Sequence, residues 1–88
     1  MAKQVIKFFA DWCGPCKVYA PAFETVKQEL QSEDIEFIEI NVEHDPDNLS
    51  GEYGVRGIPH TVVVEEGADT KFRSGRLGVE ELKEFILN

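Results

Sequence analysis

A Cys-x-x-Cys pair set between an apolar run and an amphipathic pattern most constrains what this chain can fold into. Residues 5–10 (Val-Ile-Lys-Phe-Phe-Ala) are apolar on both faces except for Lys7. Such a run suits a central strand covered on both sides. Cys13 and Cys16 follow at once and are the only cysteines of the 88 residues. From Gly14 to about Leu30, Val18, Ala22, Phe23, Val26 and Leu30 recur at helical spacing. Pro15 falls in the first turn, where its missing N–H costs nothing. Pro21 lies inside the pattern and predicts a kink about one turn after Cys16. The pair therefore sits where a strand turns into a helix, a place that can make a thiol reactive.

The rest of the chain completes an alternating pattern. Residues 31–34 are a polar break, and 35–42 read as a second strand. There Ile38, Ile40 and Val42 share one face, while Phe37, Glu39 and Asn41 share the other. A helical crossover between two such strands predicts a parallel, right-handed βαβ unit. A short helix is expected around 47–53, a loop over 54–59, and strands over 60–65 and 70–74 joined as a hairpin. Val79, Leu82, Phe85 and Ile86 mark a closing helix, with Glu80 and Glu81 suited to its N-terminal dipole. The order β-α-β-(short α)-β-β-α, without linker, repeat or low-complexity stretch, predicts a single domain over 1–88.

Composition narrows the chemistry. Nine basic and seventeen acidic residues leave a net charge of −8. That argues against nucleic acid as a partner, since phosphate binding needs clustered Lys and Arg. No window resembles a signal peptide or a membrane span, so a cytoplasmic protein with no membrane partner is expected. The two cysteines close too short a loop to stabilise much, and thiols in the cytosol are kept reduced. The pair then reads as redox or metal chemistry. Zinc usually needs four ligands, and the other soft candidates are His44 and His60.

Trp12-Cys13-Gly14-Pro15-Cys16-Lys17 followed by a helix resembles the active site of the thioredoxin family. Asn41, the run Tyr53-Gly54-Val55-Arg56-Gly57-Ile58-Pro59, Gly67, Gly75 and Leu82-Lys83-Glu84-Phe85 match the family pattern in order. The resemblance implies an α/β, thioredoxin-like fold: a four-stranded mixed sheet flanked by helices, lacking the family's usual N-terminal strand and helix. In element count such a chain is closer to a glutaredoxin. It implies a monomeric protein-disulfide reductase without bound cofactor, drawing electrons from thioredoxin reductase or from glutathione. Arg76-Leu77-Gly78 does not match the usual glutaredoxin pattern. A non-catalytic binding subunit is the alternative from another class.

The resemblance also distributes roles. A thiolate at Cys13, stabilised by the helix N-terminus, would attack a substrate disulfide, and Cys16 would resolve the mixed disulfide. Gly14 and Pro15 would restrain the turn between them and belong to the substrate-binding set. Ile58-Pro59 looks like the family's cis-proline loop facing the cysteines. Trp12, Gly57, Ile58, Pro59 and Gly75 would border the substrate. Lys7 departs from the family, which usually has a buried aspartate there, and Glu39 takes the place of a lysine. A charge-swapped Lys7–Glu39 pair behind Cys16 is therefore expected, with Lys7 favouring a thiolate and Glu39 accepting a proton. His60 stands where the family usually has threonine and would titrate near neutral pH or simply pack. Tyr19 and Tyr53 read as packing residues.

Overall fold

In the computed structural model, residues 3–31 and 34–88 are described. Residues 32 and 33, half of the expected polar break, lie outside them. The elements are β1 (Lys3–Phe9), α1 (Gly14–Leu30), β2 (Ile35–Asn41), α2 (Leu49–Glu52), β3 (His60–Glu65), β4 (Lys71–Ser74) and α3 (Val79–Leu87). The strands lie in the order β2-β1-β3-β4. β2 runs parallel to β1, while β1–β3 and β3–β4 are antiparallel. This is the expected four-stranded mixed sheet, and among the described residues no strand or helix stands ahead of β1.

Alternation along β1 divides the core in two. Val5 points to one side, where it meets Tyr19, Phe23, Val26 and Leu30 of α1, Val63 of β3, and Leu82, Phe85 and Ile86 of α3. Ile6 and Phe8 point to the other, packing with Val62 and with Ile38, Ile40, Leu49, Tyr53 and Val55. The two long helices thus cover one face, and the single turn of α2 lies on the other. α3 is tied down at its C-terminal end, where carbonyls lack helical partners. Lys3 Nζ donates to Ile86 O at 2.6 Å and Lys71 Nζ to Phe85 O at 2.7 Å.

One detail of α1 differs from the periodicity reading. Its buried stripe is Cys16, Tyr19, Phe23, Val26 and Leu30, whereas Val18 is exposed. The stripe steps by three and four residues, and Val18 falls about a quarter-turn outside it. The tyrosine supplies the apolar bulk that the valine was expected to give. The helix continues through Pro21, which is exposed. After β2, Asp45 organises the turn into α2: its carboxylate accepts the Leu49 N–H at 2.9 Å and the Ser50 N–H at 2.8 Å. Those backbone donors hold its pKa below the ordinary carboxylate value.

Candidate active site

Three chain segments converge at the end of β1. The loop after Phe9 turns through a Cys13 N–H to Ala10 O bond of 3.2 Å, which delivers Cys13 as the residue capping α1. Gly14 and Pro15 then form the exposed first turn, and Pro15 needs no partner for an N–H there. Cys13 and Cys16 are bridged, with their Cα atoms 5.2 Å apart. Cys13 occupies the position where a Ser or Asp side chain usually accepts a helix N–H. Its sulfur takes that role: the Cys16 N–H donates to Cys13 Sγ at 3.2 Å. A thiolate accepts such a bond better than a thiol, so helix geometry favours the charged form.

Opposite the pair runs the loop entering β3. The Ile58–Pro59 peptide bond is cis, as the resemblance implied. Ile58 O lies 3.8 Å from Cys13 Sγ, and Ile58 packs on the cluster of Ala10, Cys13 and Cys16. Gly75, at φ 90°, donates its N–H to Pro59 O at 2.8 Å and so steadies this loop from the β4 side. Gly57 and Ile58 do join Trp12 in one wall. A groove of about 430 Å³ is lined by Trp12, Val42, Ser50, Val55, Arg56, Gly57 and Ile58. Gly75, Gly14, Pro15 and Pro59 are not among its lining residues.

The sequence reading did not single out Glu43, yet it positions the groove. Asn41 Oδ1 accepts the Glu43 N–H at 2.9 Å, and Glu43 Oε2 then accepts the Trp12 indole N–H at 3.0 Å. Only Asn41, within the matched pattern, hinted at a structured turn there. Val42 gave no local signal as a groove residue, because it reads as an ordinary apolar packing position, and Val55 stood out only as part of the matched run.

Behind the cysteines, β1–β2 register places Lys7 opposite Glu39. Lys7 Nζ and Glu39 Oε1 are 3.1 Å apart. The Lys7 side chain is 4% exposed and that of Glu39 39%, so the pair runs from the core out to the surface. The ammonium also lies over the rings of Phe23 and Phe9, 4.8 and 5.2 Å from their centroids. The expected swapped pair therefore forms in space. His60 is buried on the opposite face, stacked on Phe72 at 5.5 Å and 18°. Neither ring nitrogen has a hydrogen-bond partner among the described residues, and burial pushes its pKa down. Tyr19 donates to or accepts from Thr61 Oγ1 at 2.7 Å, joining the cysteine helix to β3.

A cysteine pair bridged at a helix start, its first member capping the helix and facing the Ile58–Pro59 loop on a mixed sheet, defines a thiol–disulfide exchange protein. The family model for thioredoxin matches residues 1–88, so this chain belongs to the thioredoxin family. It is 37% identical over 84 residues to the thioredoxin of Mycoplasmoides gallisepticum, covering 96% of this chain and 81% of that one. It is 30% identical over 82 residues to the thioredoxin of Rickettsia typhi, covering 93% and 73%. Among solved structures, it superposes on Fasciola hepatica thioredoxin with a TM-score of 0.84 at 30% identity, covering 98% of this chain and 79% of that one. Chloroplastic thioredoxin z gives 0.83 at 28% identity, covering 97% and 75%. The chain is a thiol–disulfide oxidoreductase acting by dithiol exchange at Cys13 and Cys16.

Proposed function

We propose that the protein reduces disulfides in other cytoplasmic proteins, with Cys13 as nucleophile and Cys16 as resolving thiol. The observation that carries this reading is the placement of Cys13 Sγ. It takes the Cys16 N–H at the helix start and lies 3.8 Å from Ile58 O, on the loop that also walls the Trp12 groove. In the reduced protein the Cys13 thiolate attacks one sulfur of a substrate disulfide. That S–S bond breaks, and the second substrate sulfur leaves as a thiolate. Cys16 then attacks Cys13 Sγ, expels the first substrate sulfur with its electron pair and closes the protein disulfide. Two electrons pass to the substrate.

The apolar walls from Trp12, Val42, Val55 and Ile58 suit an extended polypeptide flanking the disulfide. Gly57 and Ile58 present backbone edges to it, and the buried Pro59, whose carbonyl accepts the Gly75 N–H, anchors that loop. Nothing lies within 4 Å of a side-chain position at Gly14, so this glycine keeps the approach to Cys13 bare. With Pro15 it restrains the turn between the sulfurs. The protein acts as a monomer with no bound cofactor, re-reduced by thioredoxin reductase or by glutathione.

The test is insulin-disulfide reduction, run with thioredoxin reductase and separately with glutathione and its reductase. Turnover with the first donor is expected, and Cys16→Ser should trap a mixed disulfide on Cys13 that mass spectrometry detects. Turnover with neither donor refutes the general-reductase reading.

A further inference from the structure

The Trp12 groove draws its walls from the α2 side of the sheet. A second cleft, of about 290 Å³, opens on the side of α1 and α3 and shares no lining residue with that groove. Val18 and Ala22 of α1, Arg76 and Leu77 of the loop between β4 and α3, and Glu81 of α3 line it. Two short paths connect it to the cysteines. Val18 follows Gly14 by four positions on α1, so the two are neighbours on the helix surface. Arg76 follows Gly75, whose N–H is bonded to Pro59 O, and the adjoining Ile58 O lies 3.8 Å from Cys13 Sγ. A polypeptide that leaves the Trp12 groove and crosses Cys13 over the bare Gly14 is led onto Val18 and Arg76.

This cleft combines an apolar floor with an uncommitted cation. Val18, the residue that falls outside the buried stripe of α1, is 57% exposed, and Leu77 is half-buried. Arg76 is exposed and has no hydrogen bond or ion pair among the described residues. The carboxylate on the same wall is already engaged, since Glu81 Oε1 accepts the Gly78 N–H at 3.0 Å where α3 begins. Elsewhere Lys3, Lys7, Lys71 and Lys83 each hold a carboxylate or a carbonyl, and Arg73 lies over the Phe85 ring. A guanidinium left unpaired in a chain of net charge −8 is free to take a carboxylate from outside it.

We infer that Arg76 is a specificity-determining residue that favours protein disulfides flanked by an acidic side chain, holding its carboxylate while Val18 and Leu77 pack against the neighbouring apolar atoms. This rests on the exchange reading above and deepens it by naming the substrate class. The overall negative charge of the chain does not cancel the preference at physiological salt. The screening length there is about 8 Å, so distant carboxylates are damped while a cation in contact is not. The contact is exposed, which limits its effect to a few-fold in rate. Arg56 lines the Trp12 groove, so the cations on the two sides of Cys13 can be separated by mutation.

The experiment is stopped-flow reaction of the reduced protein with peptides whose single cysteine is joined to a coloured aryl thiol. The Cys13 thiolate attacks the peptide sulfur, that S–S bond breaks, and the aryl thiolate leaves with the electron pair and is read by absorbance. The peptides differ only in carrying Glu, Gln or Lys at matched positions flanking the cysteine. With the wild type at physiological salt, the Glu peptide should react about threefold to fivefold faster than the Gln peptide, and the Lys peptide more slowly than either. The gap should close as salt is raised to about 1 M, where the screening length is about 3 Å. Arg76→Gln should bring the Glu peptide down to the Gln rate, Arg76→Lys should keep part of the preference, and Arg76→Glu should make the Lys peptide the fastest. Lys27→Gln changes the net charge equally at the last turn of α1 and should keep the wild-type preference. The inference is overturned if the wild type reacts with all the peptides at one rate, or if Arg76→Gln keeps the preference. It is overturned equally if Lys27→Gln or Arg56→Gln removes as much of the preference as Arg76→Gln does. Each of those results still shows Cys13 attack, and the exchange reading stands. Failure of the wild type to release the aryl thiolate from any peptide refutes the exchange reading itself, and the specificity with it.

Discussion

Replacing Tyr19 by Phe tests how the cysteine helix is held to the sheet. The Tyr19 hydroxyl and Thr61 Oγ1 are 2.7 Å apart, and the two residues are 1% and 0% exposed. Tyr19→Phe leaves the buried Thr61 hydroxyl without its side-chain partner, a loss of about 1–2 kcal/mol near neutral pH. Burial also pushes the Tyr19 pKa from 10.0 up to about 12, and the Thr61 bond opposes that rise only in part. The native protein therefore holds this proton where the unfolded chain has released it. A group with a raised folded pKa contributes its full stability below the unfolded value and loses it as pH rises toward the folded one. Across the window from 10.0 to about 12, the loss approaches about 3 kcal/mol at 1.36 kcal/mol per pH unit. About half of it is gone by roughly pH 11. The Phe variant has no such loss, so the two stability curves should converge near there. Urea unfolding of both proteins from about pH 8 upward measures this, with tyrosinate absorbance marking the ionisation. Adding Thr61→Val to Tyr19→Phe should recover part of the neutral-pH deficit, since both polar groups are then gone. A constant offset between the two curves at every pH would refute the claim that this hydroxyl stays protonated because it is buried.

Other outcomes follow from the same geometry. The His60 pKa is lowered from 6.5 by burial, so its contribution is complete above 6.5 and lost as pH falls through the lower folded value. Urea midpoints of the wild type should drop on that acid side, and His60→Leu should flatten the drop. Phe72→Ser uncovers the imidazole and should return its titration, followed by NMR, toward 6.5. Leu82, on α3, is fully buried in the cluster it shares with α1, and Leu82→Ala should cost about 3 kcal/mol in urea unfolding. In that variant the rate of Cys13 attack under native conditions should not change, because Leu82 lies in the cluster that excludes both cysteines.

The chain's local patterns were sufficient for the element order and for the reactive pair. β1 is legible because residues 5–10 are apolar on both faces, and α1 because its apolar positions repeat at three and four. The cysteine chemistry is legible because two residues of spacing at a helix start put one sulfur on the N–H of the other's residue. Lys7 and Glu39 stood out as charges in strands, and their pairing was implied by the family resemblance; the β1–β2 register then puts them opposite each other. Val18 misled the stripe because side chains that alternate between two nearby phases cannot be ranked by spacing alone. The contact of Tyr19 with Thr61, and the closure of Trp12 onto Glu43, join residues 42 and 31 positions apart. No local pattern encodes a contact at that range. What the sequence determined by itself was the reactive thiol and the sheet that carries it, since both arise from interactions within one or two neighbouring elements. What only the tertiary structure decided was the groove beside Trp12 and the pocket shared by Cys16, Lys7 and Glu39. Each of these is a space between elements, and its shape depends on how α1, β2 and the Ile58–Pro59 loop pack together.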